Sequence, residues 1–142
     1  MKFFLYSLFL LACVSLVGGC QNSQENTMVL LDETIKEINV SKSGGIGDMN
    51  QDIIQSFDDE QSIKVFEKAI RTAVKQEAVI NETKPDYDVM VEYDGGLPTH
   101  AIHLWIGEEN EKSILMYMVG EGETYQTSSK MTNQLRELIF SE

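Results

Sequence analysis

Tyr87-Asp88-Val89-Met90-Val91-Glu92-Tyr93, then Asp94-Gly95-Gly96-Leu97-Pro98, then His100-Ala101-Ile102-His103-Leu104-Trp105-Ile106 is the stretch that decides the fold. In the first segment Tyr87, Val89, Val91 and Tyr93 alternate with Asp88, Met90 and Glu92. A period of two sends alternate side chains to opposite faces of a strand. The middle segment carries the glycines and proline of a turn. In the third, His100, Ile102, Leu104 and Ile106 alternate with Ala101, His103 and Trp105. Two such runs around a turn predict an antiparallel hairpin. Aligning their apolar faces sets Tyr93 opposite His100 and Val89 opposite Leu104.

Outward from this hairpin the pattern stays local. Residues 113–119 read as a further strand after the polar turn Glu108–Lys112, and 124–127 as a short one after Gly120–Glu123. Ser128 or Ser129 can cap a last helix that turns Met131, Leu135, Leu138 and Ile139 inward. Upstream, residues 34–42 read as a strand with Ile38 and Val40 on one face, although helical spacing over 28–38 also fits. Gly44-Gly45-Ile46-Gly47 is a loop and Asp52–Phe57 a second strand. A helix over 59–76 carries Ile63, Phe66, Ala69, Ile70, Ala73 and Val74 as one stripe. Asp58 is placed to cap it, and Glu60–Lys64 and Glu67–Arg71 to pair across its turns. The order β-β-α-β-β-β-β-α predicts an α+β domain, an antiparallel sheet of about five to six strands with two helices on one face.

The N-terminus has a different character. Met1-Lys2 precedes a 15-residue apolar run from Phe3 to Val17, broken only by Ser7 and Ser15, and Gly18-Gly19-Cys20 follows. That run suits an export signal and is short for a membrane span. Leu16-Val17-Gly18-Gly19-Cys20 resembles the lipobox, which implies cleavage after Gly19 and a diacylglyceryl thioether on Cys20. Residues 1–19 are thus expected as signal peptide, 20–33 as lipidated cysteine and tether, and 34–142 as one domain. Two acyl chains anchor stably where one does not.

Of the two cysteines, Cys13 would leave with the signal and Cys20 would carry lipid, so the domain is expected to rest on its core without a disulfide. The chain carries net charge −12, and beyond residue 19 ten basic side chains face 23 acidic ones. Such a surface repels nucleic acid, which is excluded as a partner.

Several stretches resemble the small YhfM-type lipoproteins of Bacillus-like bacteria. They are Val40 to Asn50 (Val-Ser-Lys-Ser-Gly-Gly-Ile-Gly-Asp-Met-Asn), Pro85 to Gly95, and His100 to Gly107. The resemblance runs from about residue 34 to the C-terminus. It implies a lipid-anchored surface protein of a Gram-positive cell and assigns a role to Cys20 alone.

Motifs of chemistry are sparse. His100 and His103, three apart on a strand, face opposite ways and cannot share a metal ion, so no metal is expected. The glycine loop lacks the spacing of a nucleotide fingerprint, and no cofactor is expected. Asp86, Asp88, Glu92 and Asp94 share a face, which solvation explains. If both helices cover the face of Val89, Ile102 and Leu104, the other carries Met90, His103, Trp105 and Tyr117, with Trp105 beside Leu115 and His103 beside Tyr117. That is more aromatic than a solvent face needs and is the candidate ligand or partner face, unless the helices lie on opposite faces or Met28–Leu31 covers it. The expectation is a non-enzymatic, membrane-anchored module binding a protein or small ligand. Its rivals are a hydrolase of envelope material using His103 with Glu92 or Asp88, and a structural part of an envelope complex.

Overall fold

The computed structural model describes residues 26–77 and 83–141. The expected signal peptide, Cys20 and residues 21–25 of the expected tether lie outside the described residues. Seven strands form one antiparallel sheet: β1 (Ile35–Lys42), β2 (Ile53–Phe57), β3 (Val74–Gln76), β4 (Tyr87–Tyr93), β5 (His100–Trp105), β6 (Ile114–Tyr117) and β7 (Thr124–Gln126). Their order across the sheet is β2-β1-β4-β5-β6-β7-β3. Helix α1 (Glu60–Arg71) follows β2, and α2 (Ser129–Ile139) ends the domain. The α+β architecture follows from the alternating segments, and both helices add their stripes to one core with Val40, Val89, Ile102 and Leu104.

Helix α1 begins one residue later than the pattern suggested. Asp59, in extended conformation, accepts from Ser62 N–H at 2.9 Å, whereas Asp58 does not cap. Both predicted ion pairs form, Glu67 to Arg71 at 2.9 Å and Glu60 to Lys64. The helix stops at Arg71, short of residue 76, because Val74–Gln76 pairs with β7 as an edge strand. Three residues are too few to show a period, so β3 has no sequence signature. Ser128 caps α2 by accepting from Met131 N–H.

The domain also starts earlier than residue 34. Met28 and Leu30 are each 2 % exposed. Met28 N–H donates to Ala73 O, Leu31 N–H donates to Tyr93 Oη, and Arg71 donates to the carbonyls of Leu30 and Leu31. This strap belongs to the helix-covered side of the sheet.

Two registers differ from the expected ones. Along β4 and β5, Asp88 faces His103 and Val91 faces His100, a slide of two residues that keeps every side chain on its face. The slide comes from the turn: Asp94–Gly96 winds into a short 3-10 segment, and Tyr93 pairs back with Ile35 of β1. Between β5 and β6 the shift is one residue, with His103 opposite Met116 and Trp105 opposite Ile114. A shift of one exchanges faces. Tyr117 and Leu115 therefore belong to the core side, and Met116 lies on the face of His103.

Candidate functional site

The second face of the sheet carries a row of aligned residues: Ser41 on β1, Asp88 on β4, His103 on β5, Met116 on β6 and Thr124 on β7. All five are buried. Polar groups withdrawn from water on a sheet need partners, and two of them find each other. His103 Nδ1 lies 2.8 Å from Asp88 Oδ1, and neither side chain is exposed at all.

What covers them is the segment that leaves β1. Gly47 N–H donates to His103 Nε2 at 3.1 Å, and Asn50 N–H donates to Asp88 Oδ2 at 2.9 Å. Gly45 and Gly47 hold φ of 141° and 105°, conformations that side chains resist, so the twin glycines allow the backbone to fold down onto the sheet. Asn50 Nδ2 donates to Lys42 O and closes the loop on its own root. From the other side the Trp105 ring meets His103 edge-on at 6.1 Å, with its indole N–H on Thr83 O.

The network fixes the state of the imidazole. A backbone N–H can only donate, so Nε2 accepts and carries no proton; the ring proton therefore sits on Nδ1 and points at Asp88. A carboxylate that holds Nδ1–H and leaves Nε2 bare is the arrangement of a general base. As the loop lies, that base is occupied by Gly47.

The neighbouring polar groups have other work. Glu92 accepts from Asn39 Nδ2 at 2.9 Å, and so does not reach His103. Asp86 accepts from Ile106 N–H. Ser41 Oγ is buried without a hydrogen-bond partner among the described residues. It is two strands from His103, a backbone separation of roughly 10 Å with β4 between, so it cannot serve as a nucleophile activated by Nε2.

Of the candidate face, Met90, His103 and Trp105 do share one side of the sheet. His103 is wholly enclosed, while Met90 and Trp105 are half-buried. Tyr117 does not join them: its hydroxyl both donates to Val29 O and accepts from Val29 N–H, and its ring packs against His100 and Tyr125. His100, on that opposite side, lies 2.9 Å from Tyr93 Oη. Burial, reinforced by the Arg71 guanidinium, holds its imidazole below the ordinary value. The alternation placed Asp88 and His103 on one face; their direct pairing depended on a register that the sequence did not reveal. The covering donors were invisible, since every residue has a backbone N–H.

A family model described as YhfM protein matches residues 31–142. No curated protein matches the chain. Among solved structures, a thioesterase-like protein from Clostridium sporogenes superposes with a TM-score of 0.55 at 18% identity, over 77% of this chain and 97% of that one. At that identity the likeness is one of fold. It nonetheless corrects the expectation of a module without enzymatic character: the fold is shared with a protein described as thioesterase-like, and one of the acid–base pairs weighed from the sequence is assembled here.

Proposed function

The chain belongs to the YhfM protein family, and from its Asp88–His103 pair, on a fold shared with a thioesterase-like protein, we propose that it hydrolyses acyl esters or thioesters. The observation that carries this reading is the buried imidazole whose Nδ1–H is held by a carboxylate while Nε2 faces the glycine loop. Water is the nucleophile. Once the Gly45–Gly47 backbone lifts, a water takes the place of Gly47 N–H within about 3 Å of Nε2. Nε2 removes a proton as the water oxygen bonds to the acyl carbon. The C–O or C–S bond then breaks, and the same proton passes to the departing oxygen or sulfur. Asp88 orients the ring throughout and stabilises its charged form.

The loop has the properties this requires. It is attached to the dyad by two hydrogen bonds, each worth about 1 kcal/mol net, or up to 3 where the acceptor is charged. Opening it by these bonds alone is affordable on the timescale of turnover, and no core element moves. We place the enzyme at the extracytoplasmic membrane face, held by lipid on Cys20, on the strength of the apolar run and Gly18-Gly19-Cys20. Labelled fatty acid should enter the wild-type chain and be lost in Cys20→Ala; unlabelled wild type would remove the anchor. For the activity itself, the purified full-length chain is assayed against p-nitrophenyl esters and acyl thioesters of increasing chain length. Turnover of at least one acyl series is expected, and its absence across both would end the reading.

A further inference from the structure

Where β1 and α2 end, three of the chain's eleven basic side chains, Lys42, Lys84 and Arg136, converge on one cleft of about 580 Å³. The chain as a whole is at −12, yet among the described residues these three cations meet two acids there, Asp86 and Glu108. Asp86 is turned to Ile106 N–H at 2.9 Å, and Glu108, 82% exposed at the rim, stands 3.6 Å from Arg136. The C-terminal end of α2 brings a partial charge of about −0.5, too little to offset the local excess of cations.

The wall of the cleft is aromatic. Tyr87 and Phe140 meet edge-on with centroids 6.3 Å apart. Lys42 Nζ sits 4.1 Å over the Tyr87 ring and Arg136 Cζ 4.8 Å over Phe140. Lys42 donates one bond to Tyr87 Oη and Arg136 one to Gly107 O, which leaves both with further N–H groups. Lys84 is exposed and makes no hydrogen bond or ion pair among the described residues.

We propose that this cleft binds an anionic ligand, a phosphate or carboxylate head group joined to an apolar portion. The oxyanion lies between Lys42, Lys84 and Arg136, and the apolar part lies along Phe140 and Ile106. Phe140 is 47 % exposed in the free protein, so a ligand there buries aromatic surface. Ser43, the root of the glycine loop, also lines the cleft, which places the bound group beside the segment over His103. The binding stands independently of any hydrolysis, since none of the three cations touches the Asp88–His103 pair.

Calorimetric titration of the full-length chain in neutral detergent at low salt tests it, with hexyl phosphate, hexanoate and hexanol as probes. Hexyl phosphate or hexanoate should saturate one site, and whichever binds tighter identifies the head group; hexanol should not saturate it. Lys84→Ala should weaken binding at least about fivefold, the loss of one charge-assisted contact. Lys130→Ala, exposed on α2 away from the cleft, should leave it unchanged. Failure of both anions to bind, or equal weakening by Lys84→Ala and Lys130→Ala, would overturn the proposal.

Discussion

Asp88→Ala is expected to lower the unfolding free energy by about 4 kcal/mol, because it orphans two donors at once. The imidazole Nδ1–H of His103 and the backbone N–H of Asn50 both end on this carboxylate, which is wholly buried on the interior strand β4. An unpaired buried donor costs about 1–3 kcal/mol. The cavity left by the carboxylate adds to this, while relief from burying a polar group subtracts. Urea unfolding followed by circular dichroism measures the change. Amide exchange adds a signature that general loosening would not give: Gly47 and Asn50 should lose protection together while the α1 amides keep theirs. A loss below about 1 kcal/mol, with Gly47 still protected, would show that the loop is held by something other than the dyad.

Phe66→Ala is expected to cost about 3–5 kcal/mol, the range for emptying an aromatic site in a packed core. Phe66 is 2 % exposed on the inner face of α1, and its ring lies 5.2 Å from that of Phe57 on the edge strand β2. Neighbouring Ile63 and Ile70 sit on the same helix and cannot move inward independently. The gap therefore persists, and β2, with exposed Ile53 and Ile54, loses the Phe57 ring contact with the helix layer. The denaturation midpoint should fall with little change in slope. Phe66→Leu should recover more than half of the loss, since it refills most of the volume. Equal stability of Phe66→Ala and wild type would contradict the placement of α1.

The parts of this fold that could be read from the chain are those where periodicity outlasts noise. Tyr87–Tyr93 and His100–Trp105 alternate long enough to declare two strands, and the Ile63–Phe66–Ile70 stripe declares a helix. Register is another matter. It is set by how Asp94–Gly96 winds and by how closely the chain turns at Gly107, where an added Cβ would meet Lys112 O at 2.4 Å. Side-chain pattern carries neither fact, so it leaves both Asp88 and Glu92 able to face His103 and sets Tyr117 on the face opposite to the one it takes. That Met28–Leu31 straps the helix-covered side, and not the Trp105 face, was hidden for a different reason. The strap's burial depends on Tyr93, Tyr117 and Arg71, which lie far along the chain and meet it only after folding. The loop over the dyad was legible as a glycine loop but not as a cover, because its bonds come from backbone amides.

Hydrolysis by this chain requires His103 to act as a base rather than only as a fastening. His103→Gln separates the two, since an amide can still donate to Asp88 and accept from Gly47 N–H but cannot take a proton from water at neutral pH. The decisive measurement is kcat/KM for the best acyl substrate, wild type against His103→Gln, at temperatures where both are folded by circular dichroism. A general base contributes about 100-fold or more, so a fall of at least that size is expected, with an unchanged far-ultraviolet spectrum. A folded His103→Gln that hydrolyses at the wild-type rate would contradict it and leave the buried pair as a fastening for the glycine loop.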